Sequence, residues 1–256
     1  MRYCVHLCFN GSKFAGWQKQ LNAVSVQEVL ENSLSILLKD KIDVTGCGRT
    51  DAGVHAINFF AHFDFNSEIE QFPNFVYHLN SILPKEIHVY KIFKVNDDWN
   101  ARFSATSRKY IYKILCEENP FMLNLALYVP YSLDLEKMQS AATQLIGKHD
   151  FTSFAKLHGG QKNGICDVKS ANFLKKDSLI IFEITANRFL RNMVRSITGT
   201  LIDIGRGHID INELQKIKSS LNRQNASASA PAHALYLANV LYENDANLFE
   251  NRNDFL

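Results

Sequence analysis

The chain has 256 residues, which is enough for one large domain or two smaller ones at about 100–200 residues per domain. Its composition is 46% hydrophobic and 21% charged, with few prolines and glycines, which excludes disordered, collagen-like and low-complexity classes. The 28 basic and 26 acidic residues give a net charge of +2, so any surface that binds nucleic acid must be local.

The first half of the chain predicts alternating strands and helices. Residues 2–9 alternate as a strand does, and Ser25 with Glu28 forms a capping box that opens a helix. The following segments predict, in order, a short strand in residues 42–47, a turn at 48–53, a strand at 57–65, a helix with Pro73 in its first turn, and a strand at 87–95.

The second half predicts the same order of elements. The segments are a strand at 109–116, a helix capped by Asp134 and ended by Gly147, strands at 168–174 and 179–186, a helix at 189–204, a short helix opened by Asp210 with Glu213, and a strand at 234–242. Both halves therefore predict the order β-α-β-β-α-β.

This order is typical of ferredoxin-like folds, so we predict an α+β protein of two ferredoxin-like units in tandem with antiparallel sheets and a central cleft. The predicted division is residues 1–104 and residues 105–256. Because duplicated units commonly place a functional site between them, we expect the catalytic or binding residues in that cleft.

The five cysteines include no C-x-x-C pair, and an odd number spread over the chain is not a disulfide framework. We therefore expect a reducing, cytoplasmic location and no metal site. The N-terminus shows no cleavable apolar leader, and no stretch of about 18 apolar residues occurs, so we expect no membrane insertion.

The turn at residues 48–53 places one carboxylate, Asp51, beside Arg49 and between two glycines. On composition alone it could be an ordinary connection between strands, with Asp51 in an Asx-type turn and Arg49 in solvent. The functional interpretation is favoured by the neighbouring loop at residues 9–20, which contains an uncommon Gly-Trp-Gln sequence.

Residues 48–56 resemble the signature of the TruA family of tRNA pseudouridine synthases. The resemblance continues, in the same order and spacing, at residues 25–27, 101–110, 149–154, 189–201 and 230–237. It therefore spans most of the chain.

The resemblance implies that the protein isomerises uridine to pseudouridine in tRNA without a cofactor or metal. Asp51 would be the catalytic carboxylate, because an aspartate is ionised at neutral pH and can act as a nucleophile or base without a partner histidine. Whether it attacks the ribose, attacks the uracil ring or takes a ribose proton stays open at this point.

The resemblance also implies three substrate-binding residues. Arg195 would pair with Asp51 and keep it ionised, although a solvated helix charge is the alternative. Tyr110 would stack on uracil, with Tyr112 as the alternative on the same strand face. Arg49 would support the nucleotide extruded from its stack.

Basic residues concentrate on the two segments that flank the predicted cleft, where they would contact phosphates: Arg102, Arg108, Lys109, Lys113, Arg188, Arg191, Arg195 and Arg206. By resemblance, the targets are uridines 38, 39 and 40 of the anticodon stem-loop, and the enzyme is a homodimer.

Two other functions compete with this one. An RNA-binding protein of two RRM-like units fits the element order but lacks an RNP1-like aromatic strand. A glycoside hydrolase would need a second positioned carboxylate, which neither flanking motif supplies.

Overall fold

The computed structural model describes residues 1–156 and 163–243. The strands are β1 (Arg2–Phe9), β2 (Thr45–Gly46), β3 (His55–Asp64), β4 (Ile87–Val95), β5 (Ala105–Leu115), β6 (Leu127–Tyr128), β7 (Gly147–Asp150), β8 (Ile165–Lys176), β9 (Leu179–Ala186) and β10 (Leu235–Tyr242). The helices are α1 (Val26–Leu38), α2 (Phe75–Ile82), α3 (Leu135–Thr143), α4 (Met193–Gly205) and α5 (Glu213–Ser219). The protein combines helices with mostly antiparallel strands, as the sequence predicts.

The chain forms two compact units. Unit 1 comprises Met1–Thr106 together with the chain from Leu237, and unit 2 comprises Ser107–Tyr236. The last strand therefore belongs mainly to unit 1, whereas the sequence predicts it as part of the second half. The division at residues 104 and 105 and the tandem ferredoxin-like arrangement stay predictions.

In unit 1 the strands follow the order β4-β1-β3-β10, and the short β2 also pairs with β3. The pairing of β1 with both neighbours is antiparallel, so Val5 lies between Ala61 of β3 and Ile92 of β4. Every residue of β3 except Asp64 is buried, which makes it the rigid element that leads away from the 48–53 turn.

In unit 2 the order is β5-β9-β8-β7, with antiparallel pairing throughout and the short β6 parallel to β5. Tyr112 of β5 lies opposite Phe182 of β9, which stacks on Phe173 of β8. Tyr112 and Phe182 are fully buried in the core of unit 2, and Phe173 is half-buried beside them. β6 and β7 were not predicted, because segments of two and four residues give little periodicity.

Two predicted helix caps are confirmed and one is wrong. Ser25 accepts a hydrogen bond from the amide of Glu28, and Asp134 accepts one from Lys137. The Asp210 carboxylate instead accepts the amide of Asn212, and α5 begins only at Glu213. Here the acidic side chain stabilises a turn ahead of the helix rather than the helix itself.

Three helix boundaries also differ from the prediction. α4 begins at Met193 and not at residue 189, because Asn192 has a left-handed backbone with φ of 67°, which interrupts helical geometry. Pro73 precedes the N-cap residue Asn74 and so lies outside the first turn of α2. α3 ends at Thr143, before Gly147.

In the parts of the chain that the structure describes, none of the helices has the length and apolar character that a membrane crossing requires.

A buried polar network lies at the centre of the unit 1 sheet. His6 Nε2 donates a hydrogen bond of 2.9 Å to the Asn58 carboxamide oxygen, which can only accept. The Asn58 amide donates to the carbonyl oxygen of Ala238 and to Asn239 Oδ1, both at 2.8 Å. One side chain therefore connects β1, β3 and β10.

Asn58→Ala should lower the free energy of unfolding by about 2–3 kcal/mol, because it leaves buried partners on β1 and β10 without their hydrogen bonds. Urea denaturation measures the change. Asn172→Ala, at an exposed position of β8, is the matched control and should change stability by less than about 0.5 kcal/mol. Equal losses in the two variants would contradict a special role for the Asn58 network.

Candidate active site

The Asp51 turn (residues 48–53) connects β2 to β3 in unit 1. The Asp51 side chain is half-buried and that of Arg49 is exposed. The amide of Val54 donates to the Asp51 carbonyl at 3.1 Å, and Gly53 has a φ of 80°, a conformation that glycine adopts without strain. The carboxylate is therefore presented on a tight, defined turn.

The 10–17 loop holds this turn through hydrogen bonds on both sides of Asp51. The Trp17 amide donates to the Thr50 carbonyl at 3.4 Å, and the Gly53 amide donates to the Phe14 carbonyl at 3.3 Å. The Gly11 amide donates at 3.1 Å to Nδ1 of His55, a buried residue at the start of β3. The first two bonds connect the loop to the Asp51 turn, and the third connects the loop to the first residue of β3.

Two glycines make this contact possible. At Gly16, where φ is 92°, a side chain would overlap the Thr50 carbonyl oxygen, and at Gly11 it would overlap that of Val54. The two backbones approach too closely for any residue with a Cβ atom. Sequence reasoning noticed the Gly-Trp-Gln segment but did not assign Gly11, Gly16 or His55 to the site.

Helix α1 supports the 10–17 loop from the other side. Its first amides, those of Val26 and Gln27, donate to the carbonyls of Gly16 and Trp17. These amides have no partner within a helix, so the loop satisfies them. The buried Trp17 ring stacks on Phe59 at 4.1 Å and connects the loop to β3.

In unit 2, Tyr110 and Tyr112 on β5 differ in depth. Tyr110 is half-buried and meets Phe189 edge to face, with ring centroids 5.1 Å apart. Tyr112 is fully buried, and its hydroxyl donates to the Pro231 carbonyl at 2.9 Å. Burial raises the pKa of Tyr112, and the nearby charge of Arg195 only partly offsets this effect. Tyr110 is therefore the more accessible of the two rings.

Arg195 lies half-buried in the first turn of α4. A cation at this end of a helix is opposed by the helix dipole, so other contacts must stabilise it. Its Nε donates to the Ala230 carbonyl at 2.8 Å, and the Ala230 amide donates back to the Arg195 carbonyl at 3.0 Å. No local sequence pattern identifies Ala230 as the partner of Arg195.

The structure places Asp51 and Arg49 in unit 1 and Tyr110 and Arg195 in unit 2. The contacts described for Asp51 lie within unit 1, and those described for Tyr110 and Arg195 lie within unit 2. The pairing of Asp51 with Arg195 stays a prediction.

Several of the basic residues expected to contact phosphate have partners within unit 2. Lys109 forms an ion pair with Glu183 at 2.7 Å. Lys113 lies over the ring of Tyr236, and burial lowers its pKa. Arg206 follows the end of α4, eleven residues after Arg195. The rise of the helix therefore separates the two residues by about 16 Å along its axis. Arg102 and Arg191 remain exposed.

Comparison with known proteins assigns the family. The family model described as tRNA pseudouridine synthase matches residues 8–104 and 141–243. A Parabacteroides distasonis protein named tRNA pseudouridine synthase A is 42% identical over 94% of this chain and 96% of its own length. Proteins of the same name from Bacteroides fragilis and Acetivibrio thermocellus are 43% and 37% identical, over 94% and 91% of this chain and 96% of each relative.

The chain therefore belongs to the tRNA pseudouridine synthase family. It is an enzyme, and its reaction is the isomerisation of uridine to pseudouridine in tRNA. This membership decides against both alternatives, the RNA-binding protein of two RRM-like units and the glycoside hydrolase.

Gly16→Ala should lower the single-turnover rate at saturating tRNA by about tenfold or more, because the new methyl group displaces the Thr50 carbonyl next to Asp51. Gly207→Ala is the matched control, since Gly207 also has a positive φ, of 75°, but faces open space. Both variants should lose stability through backbone strain, measured by thermal unfolding. Equal rates in the two variants would show that the glycine contact does not position the turn.

Proposed function

We propose that Asp51 is the catalytic carboxylate of this synthase. The observation that carries the proposal is a half-buried carboxylate on a turn fixed by hydrogen bonds on both sides. An ionised carboxylate needs no partner base to attack carbon or accept a proton. Attack on ribose C1′, attack on the uracil ring and removal of a ribose proton are the three routes open to Asp51.

The net reaction exchanges one bond to ribose for another. The bond from uracil N1 to C1′ breaks, the ring turns within the site, and C5 forms the new bond to C1′. C5 loses its hydrogen as a proton and N1 ends with one, so no oxidant, reductant or second substrate is consumed. We propose that the enzyme uses neither a cofactor nor a metal.

Arg49, Tyr110 and Arg195 bind the substrate in this proposal. Arg49 supports the nucleotide once it has left its stack, since its exposed guanidinium lies two residues before Asp51. Tyr110 stacks on uracil, and its edge contact with Phe189 fixes the plane of its ring. Arg195 pairs with Asp51, orients the carboxylate and keeps it ionised.

The substrate is proposed to be the anticodon stem-loop of tRNA, modified at uridines 38, 39 and 40. Exposed Arg102 and Arg191 would contribute contacts to its phosphates. We further propose that the chain consists of two tandem ferredoxin-like units with the site in the cleft between them, that it acts as a homodimer, and that it works in the cytoplasm.

Asp51→Asn should abolish turnover while leaving tRNA affinity within about threefold, because a nucleophile or base acts in the barrier while phosphate contacts dominate binding. Release of tritium from tRNA carrying tritium at uridine C5 measures turnover, and filter binding measures affinity. Asp43→Asn, at an exposed position of unit 1, should behave as wild type.

Measurable turnover by Asp51→Asn above a blank without enzyme would end the catalytic assignment. The site within tRNA is tested separately with transcripts that lack uridine at positions 38, 39 and 40. Unchanged tritium release from these transcripts would refute the proposed target while leaving the role of Asp51 intact.

Tyr110→Ala should lower the rate about 5- to 150-fold, the range that corresponds to one lost base–aromatic stacking contact of about 1–3 kcal/mol. Tyr110→Phe keeps the ring and should retain most of the rate. Tyr112→Phe should lower stability by about 1 kcal/mol, because the Pro231 carbonyl loses its donor, with a rate far closer to wild type than that of Tyr110→Ala. A wild-type rate in Tyr110→Ala would end the assignment of the stacking role to Tyr110.

A further inference from the structure

We infer that a backbone strap (residues 226–230), seated on α4 at Gly199, positions Arg195 for the reaction. The inference rests on the proposed role of Arg195 and adds positioning residues that act through it. Neither Gly199 nor the strap needs to touch the substrate.

The strap holds Arg195 by main-chain contacts in both directions. The Ala230 carbonyl accepts Nε of the guanidinium at 2.8 Å, while the Ala230 amide donates to the Arg195 carbonyl at 3.0 Å. An arginine side chain loses much rotamer freedom when it is fixed, and a single bonded Nε restricts the plane of the guanidinium. The position of the Ala230 peptide therefore helps to fix the direction of the Arg195 side chain.

Gly199 is the place where the strap lies closest to the helix. A Cβ atom there would overlap the Ala228 carbonyl oxygen and would stand 3.3 Å from the Ala230 amide nitrogen. Glycine inside a helix costs about 1 kcal/mol relative to alanine. Gly199 has no positive φ to explain its presence, so the space taken by the strap is the physical reason for it.

Side chains on both sides of Gly199 also bind the strap. The Ser227 amide donates to Thr200 Oγ1 at 3.3 Å. Ser229 Oγ accepts Nδ2 of Asn192 at 2.6 Å and Nη2 of Arg223 at 3.0 Å. The strap consists only of alanine and serine, whose small side chains allow this close seating. The strap is thus held at Ser227 and Ser229, which lie just before Ala230, the residue that contacts Arg195.

The test compares Gly199→Ala with Gly205→Ala on the same helix. A methyl group at Gly205 meets the Met138 side chain of α3 and does not touch the strap. Gly199→Ala should lower the saturating single-turnover rate about tenfold or more with tRNA affinity within about threefold, whereas Gly205→Ala should keep the wild-type rate. Thermal unfolding of both variants controls for general destabilisation. Equal rates at matched stability would overturn the inference.

A double-mutant cycle with Arg195→Met separates this inference from the proposed function. If Gly199 acts through Arg195, then Gly199→Ala should cause no further loss in the Arg195→Met background. A slow Arg195→Met combined with an undiminished effect of Gly199→Ala overturns the strap inference alone. A wild-type saturating rate in Arg195→Met overturns the role of Arg195, and the strap inference with it.

A gentler pair of variants serves if Gly199→Ala does not fold. Thr198 and Thr200 are both fully buried, and each hydroxyl bonds the carbonyl four residues earlier, but only Thr200 also accepts the strap amide. Thr200→Val should lower the saturating rate about threefold, since it removes one of several contacts, and Thr198→Val should leave it unchanged. Equal rates in these two variants would also overturn the inference.

Discussion

The close approach of the 10–17 loop to the Asp51 turn is the contact on which the functional part of unit 1 depends. Gly11 and Gly16 let two backbones meet where a side chain would collide, and the hydrogen bonds on either side of Asp51 form because of that proximity. The same loop completes the first turn of α1 and rests, through Trp17, on the core. A loop that would otherwise be flexible is thereby fixed by rigid elements, which is how enzymes commonly hold reactive groups.

In unit 2 the side chains of Tyr110 and Arg195 are held in different ways. Tyr110 stands on β5, where antiparallel pairing fixes the backbone, and only the tilt of its ring depends on Phe189. Arg195 has a longer side chain at a helix end that disfavours positive charge, so it depends on the Ala230 carbonyl. The more freedom a side chain has, the more of its surroundings must be devoted to holding it.

Much of the fold was predictable from local patterns. β1, β4, β9 and the caps at Ser25 and Asp134 follow from alternation and capping chemistry, which involve neighbouring residues. The start of α4 was not predictable, because the apolar periodicity continues through residue 192. The backbone of Asn192 is nevertheless left-handed, so the helix begins after it. The motif around Asp51 was visible, but its support by Gly16 was not, since a contact across more than thirty residues leaves no local signal. That contact depends on the fold.

Arg195 donates to the peptide carbonyl of residue 230, so the side chain at that position matters less than the course of the backbone. Substitutions among small residues in the strap should therefore leave the carbonyl that binds the guanidinium in place. Gly199 has no such latitude, because a side chain there would overlap the Ala228 carbonyl oxygen. For protein engineering, the contacts made by side chains are thus a poor guide to tolerance here: residue 230 can be exchanged for another small residue, whereas Gly199, against which the strap packs, cannot be replaced.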